Sequence, residues 1–201
     1  MEIIEFPVVL IDTRSMKQVA CFHTFIKPEI YPTLTDFCKE LTGISQEEVD
    51  GGVVLQVAIR QLHSFLLENE VFGSNYAFVS CGSFDANAIK WECSYKELFV
   101  PSYLKRWINI QQVFPIHKYC NDRENYVDDV YAIKQDFKIL KTIQEFLEMC
   151  GLEFEGREHS GIDDAKNIAR VILSCLKKGF AFHEGHVLTH NYQTGSYAGV
   201  D

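Results

Sequence analysis

The chain has 201 residues, of which 47% are hydrophobic, so it is long enough to bury one substantial core and suits one domain better than two. Its formal net charge of −9 argues against a protein that holds nucleic acid by bulk neutralisation of phosphates, because that mode needs an excess of Lys and Arg. The charge is compatible with a nuclease, because carboxylate-rich sites meet phosphate through divalent cations.

The first elements predict a β-hairpin. Residues 3–12 and 19–26 are apolar runs rich in β-branched side chains, and a polar stretch separates them. Pro7 removes one backbone donor from the first run, which is tolerated at a sheet edge or bulge and is unfavourable in a strand paired on both sides.

Helices are predicted next. Residues 34–41 form a short helix ended by Gly43, and Ser45 with Glu48 has the spacing of a capping box that opens another helical turn. Residues 53–67 repeat apolar side chains at the helical period, which predicts a longer helix.

The middle of the chain predicts a strand, a turn and a helix in close succession. Residues 76–81 are a compact apolar run of strand type, and residues 86–93 favour a helix directly after the turn. Residues 107–114 predict another strand, and residues 117–129 predict a polar loop.

The last elements are two helices and a possible strand. A helix is predicted over residues 137–150, and another over residues 161–178 with one apolar face and lysines in its final turn. Residues 180–188 could add a strand. Strands alternating with helices after a hairpin predict an α/β fold with a mixed sheet, arranged as a single domain over residues 1–190 with a flexible tail over residues 191–201.

Membrane insertion and a disulfide framework are both disfavoured. No apolar run reaches the length that crosses a bilayer, and the acidic start Met-Glu-Ile-Ile-Glu is unlike a signal peptide, so we expect an intracellular protein of the cytoplasm or nucleus with no membrane partner. The cysteines are odd in number, lack a Cys-x-x-Cys pair and lie mostly in apolar runs, which predicts reduced core thiols at Cys21, Cys38, Cys81, Cys93, Cys120, Cys150 and Cys175.

The start of the last predicted helix combines a histidine with carboxylates. His159 lies in a loop, and Asp164 follows five residues later in the first helical turn. Ser160 and Asp163 have the spacing of a capping box, so Asp163 has a structural explanation and Asp164 is the surplus carboxylate. Acids are favoured in the first turn of any helix, so this spacing alone leaves the role of Asp164 open.

A second carboxylate follows an apolar strand. Asp85 comes just after residues 76–81, and ligands in open α/β sheets bind at the carboxyl ends of strands. The structural alternative is that Asp85 caps the helix that follows it.

Several segments together resemble the Eri-type (enhanced RNA interference) branch of the DEDDh exonucleases. The resemblance covers roughly residues 2–182, and its longest motif is Phe-Glu-Gly-Arg-Glu-His-Ser-Gly-Ile-Asp-Asp-Ala-Lys-Asn-Ile-Ala at residues 154–169. A motif of this length is far more specific than a short pattern. The other matching segments are residues 2–10, 37–45, 81–85 and 107–109.

The resemblance implies a ribonuclease-H-like fold, with a mixed sheet flanked by helices, and an activity. The activity is 3′-to-5′ exoribonuclease cleavage of single-stranded RNA 3′ ends to nucleoside 5′-monophosphates by a two-metal mechanism. Mg²⁺ or Mn²⁺ suits such an oxygen-rich site, with two ions in the complete family site. Carried over to this sequence, Asp85 and Asp164 are metal ligands and His159 is the general base, which together form the catalytic group.

The resemblance also implies nucleotide contacts. Leu41, Thr42, Gly43 and Ile44 match a segment that packs against the terminal nucleotide in relatives, although this segment could be only a helix C-cap. Phe84 stands where relatives often have tryptophan, so an aromatic face is kept near the nucleotide while its base-stacking role stays open.

The sequence departs from the family at one place. Members open with a strand that carries Asp-x-Glu, whereas this chain begins at the strand after it. Asp122-Arg-Glu124 is the only Asp-x-Glu here and falls in a polar loop, which favours solvation, and Glu2 and Glu5 precede the matching strand with the wrong spacing. Asp85 and Asp164 alone are too few to hold two cations.

The missing strand is central in the family fold, so its loss exposes strand edges near Pro7 and Phe78. We therefore expect residues before Met1 in the working protein. Without them, we expect an inactive and poorly stable chain. This expectation leaves two alternatives to an active nuclease: a catalytically inactive member that binds RNA or a protein partner, and a structural fragment.

One remaining cluster has metal-like content. His183, His186 and His190 fit no known zinc spacing, and His183 and His186 would point to opposite faces of an extended strand. The sequence predicts exposed histidines here rather than a metal site.

Overall fold

The computed structural model describes residues 2–119 and 140–189. Within these residues, no helix is both long enough and apolar enough to cross a membrane. The predicted tail, the Asp122-Arg-Glu124 sequence and His190 lie outside the described residues.

The predicted hairpin is confirmed. Strand β1 (Glu5–Asp12) pairs antiparallel with β2 (Lys17–Phe25), and Pro7 lies opposite His23. Glu5 is the first residue of β1, so the expectation that it precedes the strand is wrong.

The helices that follow β2 are confirmed within a few residues. Gly43 adopts a left-handed conformation with φ of 77° and ends the first helix, and the predicted capping box of Ser45 and Glu48 is formed at the start of the second. These helices are α1 (Asp36–Thr42), α2 (Gln46–Asp50) and α3 (Leu55–Glu68).

A second sheet forms in the middle of the chain. Strand β3 (Phe78–Ser80) pairs parallel with β4 (Arg106–Asn109), and helix α4 (Phe84–Tyr95) lies between them in sequence. The strand predicted over residues 107–114 is wrong in its second half, which forms the short helix α5 (Ile110–Val113). The reason is Asn109, whose side chain accepts a hydrogen bond from the Gln111 amide and so starts a helical turn.

The C-terminal elements are shorter than predicted, except for the last helix. Helix α6 (Ile143–Cys150) begins where Thr142 and Glu145 form a capping box. The first predicted residues, 137–139, lie outside the described residues. Helix α7 (Gly161–Lys177) agrees with its prediction. The strand predicted over residues 180–188 is mostly wrong, since only β5 (Val187–Thr189) is extended, antiparallel to β4.

The sheet is divided into two parts among the described residues. β1 pairs with β2, β3 pairs with β4, and within the described chain neither β1 nor β3 has a strand on its other side. Yet residues of both strands pack in the same core: Val8 and Phe78 border one apolar cluster, and Ile11 and Val79 border another. These two edges are the ones near Pro7 and Phe78 that were predicted from the sequence to be unpaired.

The prediction of reduced core thiols is only partly correct. All six described cysteines are free, but Cys21 is exposed while Cys93 and Cys175 are buried. Cys120 lies outside the described residues.

The N-terminal segment is held by the Glu2 carboxylate, whose side chain is almost fully buried. It accepts hydrogen bonds from the amides of Glu29 (2.8 Å), Ile30 (3.0 Å) and Tyr31 (2.8 Å), and lies 2.9 Å from Lys96 Nζ. Burial of the carboxyl works to raise its pKa, but the Tyr31 amide, the Lys96 ammonium and the other two amides outweigh it and lower the pKa from 4.5 to about 2.

This depressed pKa predicts an acid-sensitive contribution to stability. The contribution is fully present above pH 4.5 and is lost as the pH falls through the folded-state pKa of about 2. We expect it to amount to about 3 kcal/mol in the free energy of unfolding, measured by urea unfolding across that range. Glu2→Gln should lack this pH dependence, whereas Glu47→Gln, at an exposed position, should keep it; equal curves for wild type and Glu2→Gln would contradict the assignment.

Candidate active site

The predicted general base lies in a tight turn before α7. His159 is exposed and has a φ of 66°, a left-handed conformation that costs a non-glycine residue about 1–3 kcal/mol and persists only where its surroundings impose it. The Ser160 amide donates to the Arg157 carbonyl at 3.2 Å, and the Asp164 amide donates to the Ser160 carbonyl at 2.8 Å. These bonds fix His159 at the entrance to the helix that carries Asp164.

Asp163 has a structural role, but not the predicted one. Among the described residues, the side chain of the N-cap Ser160 makes no capping hydrogen bond, so the expected capping box is absent. Instead, Asp163 Oδ2 accepts from the Arg157 amide at 3.0 Å. Gly156, with φ of 89°, makes room for it, because a Cβ there would lie 2.4 Å from Asp163 Cγ. Asp163 therefore holds the loop that precedes His159.

The start of α7 is capped from β1 by Glu5. The Glu5 carboxylate accepts from the amides of Gly161 (2.7 Å, at Oε2) and Ile162 (3.1 Å, at Oε1), and His23 Nε2 lies 2.8 Å from the same Oε1. A Cβ at Gly161 would lie 2.8 Å from Glu5 Oε2, so the close approach depends on glycine. The carboxylate satisfies amides that a helix leaves unpaired and complements the helix dipole.

Sequence reasoning missed Glu5, because its helix partners are 156 and 157 residues away. The sequence did contain one indication of this role: Glu5 stands at the start of an apolar strand, and a glutamate that is buried in such a place usually has a partner.

Replacing Glu5 by alanine is expected to destabilise the chain by about 1–3 kcal/mol, because two helix amides lose their acceptor in a buried place. Urea unfolding measures the change. His23→Ala serves as the control: its ring is 32% exposed and the helix amides keep Glu5, so we expect a smaller loss. Equal stability of wild type and Glu5→Ala would show that Glu5 does not cap α7.

Asp85 does not cap α4. The N-cap residue is Ser83, and Asp85 is the second residue of the helix, so the structural alternative considered from sequence is wrong. The turn before it is held by Asn109 at the end of β4, whose Oδ1 accepts from the Gly82 amide at 3.0 Å. Because β3 and β4 are parallel, their carboxyl ends share one edge of the sheet, and Asp85 lies at that edge.

Asp85 and His159 both influence the charge of Asp164. Desolvation is the main cause that raises the pKa of Asp164 to about 6; the charge and backbone amide of His159 oppose the rise, and the carboxylates of Asp85 and Glu5 add to it. The same two aspartates affect Cys81 at the end of β3. Burial is the main cause that raises the pKa of its thiol to about 11, and the charges of Asp85 and Asp164 add to the rise. These groups therefore share one electrostatic environment.

Asp85 as a whole residue is exposed to solvent. Desolvation by the surrounding protein nevertheless raises the pKa of its carboxyl. A divalent cation would relieve the repulsion between Asp85 and Asp164, and oxygen ligands are those that Mg²⁺ and Mn²⁺ prefer. The two aspartates fit part of such a site, but the described residues contain no group of three or more potential metal ligands.

The predicted nucleotide contacts are divided between surface and core. Leu41 is 39% exposed and Phe84, next to Asp85, is 58% exposed, so both side chains are accessible to a ligand. Thr42 Oγ1 is engaged locally, donating to the Cys38 carbonyl at 2.8 Å. Ile44 is buried in a small cluster with Val49, and its amide donates to Thr42 Oγ1 at 3.1 Å, so neither its side chain nor its amide is free for a ligand.

The histidine pair near the end of the described chain has a different geometry from the one predicted. His183 and His186 flank a single turn of 3-10 helix, with ring centroids 3.6 Å apart, so the expectation of opposite faces is wrong. The side chain of His183 caps this turn by accepting from the Gly185 amide. Two histidines are fewer than a zinc site needs.

Comparison with known proteins relates the sequence of this chain to nucleases. The exonuclease family model RNase_T matches residues 1–172. The curated relatives include ERI1 exoribonuclease 3 of Bos taurus, 32% identical over 91% of this chain and 50% of the relative, and 3′-5′ exoribonuclease 1 of Rattus norvegicus, 34% identical over 89% and 48%. The chain thus spans about half the length of these relatives.

Solved structures agree with the sequence matches. The nuclease domain of 3′hExo, a DEDDh family member, bound to rAMP, has a TM-score of 0.74 at 31% identity, covering 89% of this chain and 82% of that one. A structure of 3′-end specific recognition of histone mRNA stem-loop by 3′-exonuclease also has a TM-score of 0.74, at 30% identity, covering 94% and 81%.

Proposed function

This chain belongs to the exonuclease family, and from that premise we propose that it is a metal-dependent 3′-to-5′ exoribonuclease acting on single-stranded RNA 3′ ends. Its product would be nucleoside 5′-monophosphates. The observation that carries the proposal is the shared environment of Asp85, Asp164 and His159 at the carboxyl edge of β3 and the start of α7. Groups from two distant parts of the chain meet there, Asp85 after β3 and His159 with Asp164 at the start of α7. Converging acidic and basic groups are what phosphodiester hydrolysis needs.

Each group has a distinct role in the proposal. His159 takes a proton from the attacking water, a task that suits an imidazole because its ordinary pKa lies near neutral pH. Asp85 and Asp164 would hold divalent cations, Mg²⁺ or Mn²⁺, two of them in a complete family site. When bound, these cations supply charge stabilisation for the phosphate. Phe84 and the Leu41–Ile44 segment contact the terminal nucleotide.

The remaining acidic ligands would be supplied by an additional strand. The support is the pair of free edges on β1 and β3 among the described strands, both bordered by the same apolar clusters. A strand between them would satisfy both edges and pass close to Asp85 and Glu5. Such a strand carrying Asp-x-Glu would complete the four-carboxylate pattern of the family.

RNA as the substrate is supported by the relatives. One similar solved structure is bound to rAMP, and another concerns recognition of a histone mRNA stem-loop by a 3′-exonuclease. Both statements describe those proteins. We propose the same chemical class, an RNA 3′ end, for this chain. We also propose an intracellular location in the cytoplasm or nucleus, to which the free thiols of the six described cysteines are suited.

A second candidate function is an inactive member of the family that binds RNA or a protein partner through the same groove. The observation in its favour is that the described residues contain no group of three or more potential metal ligands. Such a protein would retain RNA in a binding assay without shortening it.

A trimming assay separates the two candidates. In a protein that also carries the additional strand, we expect a 5′-labelled single-stranded RNA to be shortened one nucleotide at a time from its 3′ end in Mg²⁺ or Mn²⁺, and not in a chelator. Binding of that RNA without shortening would favour the inactive member. An RNA that is neither bound nor shortened would contradict both.

A further inference from the structure

We propose that Arg157 is a positioning residue that holds the nucleotide-contact segment Leu41–Ile44 against the turn that carries His159. This inference rests on the proposed function, because it assigns a task to a contact between two parts of the same site. Arg157 was not singled out from the sequence, since a loop arginine has no local pattern that reveals a distant partner.

The first step is the contact of the Arg157 side chain with the end of α1. Its Nη2 donates to the Glu40 carbonyl at 2.5 Å. Glu40 is in the last turn of α1, where carbonyl groups have no partner within the helix and where a positive charge complements the helix dipole. The guanidinium therefore supplies a donor and a complementary charge to this helix end.

The second step is the close fit of the same side chain over Gly43. A Cβ at Gly43 would lie 2.8 Å from Arg157 Nε and 3.0 Å from both Cδ and Cζ. Gly43 is thus constrained twice, by its left-handed φ of 77° and by the arginine stem above it. The contact reaches the middle of the Leu41–Ile44 segment.

The third step is the backbone of Arg157, which belongs to the His159 turn. Its amide donates to Asp163 Oδ2 at 3.0 Å, and its carbonyl accepts from the Ser160 amide at 3.2 Å. One residue therefore joins the turn of the proposed base, through its backbone, to the proposed nucleotide contact, through its side chain. If the side chain is removed, both parts keep their local structure but lose their fixed relative position.

This role predicts an effect on nucleotide binding that loss of stability alone would not give. We expect Arg157→Ala to weaken binding of adenosine 5′-monophosphate in Mn²⁺ by about 10-fold, with an unchanged melting temperature, because a misplaced contact segment loses complementarity. Arg157→Lys should restore binding only in part, since lysine can donate to Glu40 but lacks the planar group that covers Gly43.

Arg170 provides a matched control. It follows the motif of residues 154–169 directly, and it donates to the Glu153 carbonyl at 2.7 Å and pairs with Glu155 at 2.8 Å. These partners lie on the loop between α6 and α7 and not on α1. Arg170→Ala should leave the affinity for adenosine 5′-monophosphate within about twofold of wild type, because a substitution at a site independent of the nucleotide contact has little effect on binding.

Amide hydrogen exchange tests the contact independently of function. We expect Arg157→Ala to speed exchange over the end of α1 and Gly43, and Arg170→Ala to leave it unchanged. Unchanged exchange in Arg157→Ala, or nucleotide affinity equal to wild type, would overturn the positioning role. If wild type binds no nucleotide while exchange responds to Arg157→Ala, the contact stands, but the proposed function fails and the positioning role with it.

Discussion

Asp164→Asn, in the protein that carries the additional strand, is expected to lower the rate of divalent-ion-dependent RNA trimming on the order of 10²–10³-fold, the loss typical of removing one charge contact that stabilises a transition state. Asp164 lies in the first turn of α7, shares its environment with Asp85 and His159, and has a pKa raised to about 6, chiefly by desolvation. A carboxylate with this shift gains more than an ordinary one from a cation. Single-turnover trimming of a labelled RNA measures the change.

Asp163 is the control for this variant, because it is the adjacent acid of the same helical turn. Its carboxylate holds the Arg157 amide, so Asp163→Asn should cost stability, while trimming per folded molecule falls much less than in Asp164→Asn. Equal losses in the two variants would contradict the division of roles between the neighbouring aspartates.

His159→Ala has the second large expected effect. A general base contributes about 10²–10⁴-fold to a rate, so trimming should fall by that amount while Mn²⁺ binding stays near wild type, because the carboxylates are unchanged. Trimming rate and Mn²⁺ affinity, measured on the same preparation, separate the base from the metal ligands.

The left-handed backbone at His159 offers a control for fold effects. His159→Gly should lose the same rate as His159→Ala but be more stable, since glycine adopts a φ of 66° without strain. His183→Ala, at an exposed histidine outside the site, should trim RNA like wild type. Unchanged trimming in both His159 variants would show that another group removes the proton.

The sequence was informative where local chemistry decides the structure. Gly43 at a helix end, the capping box of Ser45 and Glu48, and the apolar face of α7 act over a few residues, and each is found where predicted. The long motif at residues 154–169 likewise indicated the family, which the match of the exonuclease model to residues 1–172 confirms.

Several errors arise because a side chain bonds to a partner outside the pattern that the sequence predicted. Asn109 binds Gly82 across the sheet as well as Gln111, which turns a predicted strand into a helix. Asp163 accepts the Arg157 amide instead of forming a capping box with Ser160. Periodicity and spacing carry no information about such pairs.

The residues that connect the parts of the site could not be predicted, because their partners are far away in the sequence. Glu5 caps a helix that begins 156 residues later, and Arg157 reaches a carbonyl 117 residues earlier. The residues that perform chemistry could be proposed from a motif, whereas the residues that hold them in place required the structure.

Mn²⁺ binding tests most directly whether Asp85 and Asp164 serve one ion pocket. Electron paramagnetic resonance titration of the wild type, Asp85→Asn, Asp164→Asn and the double variant would give each affinity. We expect each single variant to bind Mn²⁺ at least about 10-fold more weakly, and the double variant to lose less than the sum of both effects, as for two ligands of one ion. Asp163→Asn should bind like wild type. Additive losses, or affinities unchanged in both single variants, would contradict a shared site.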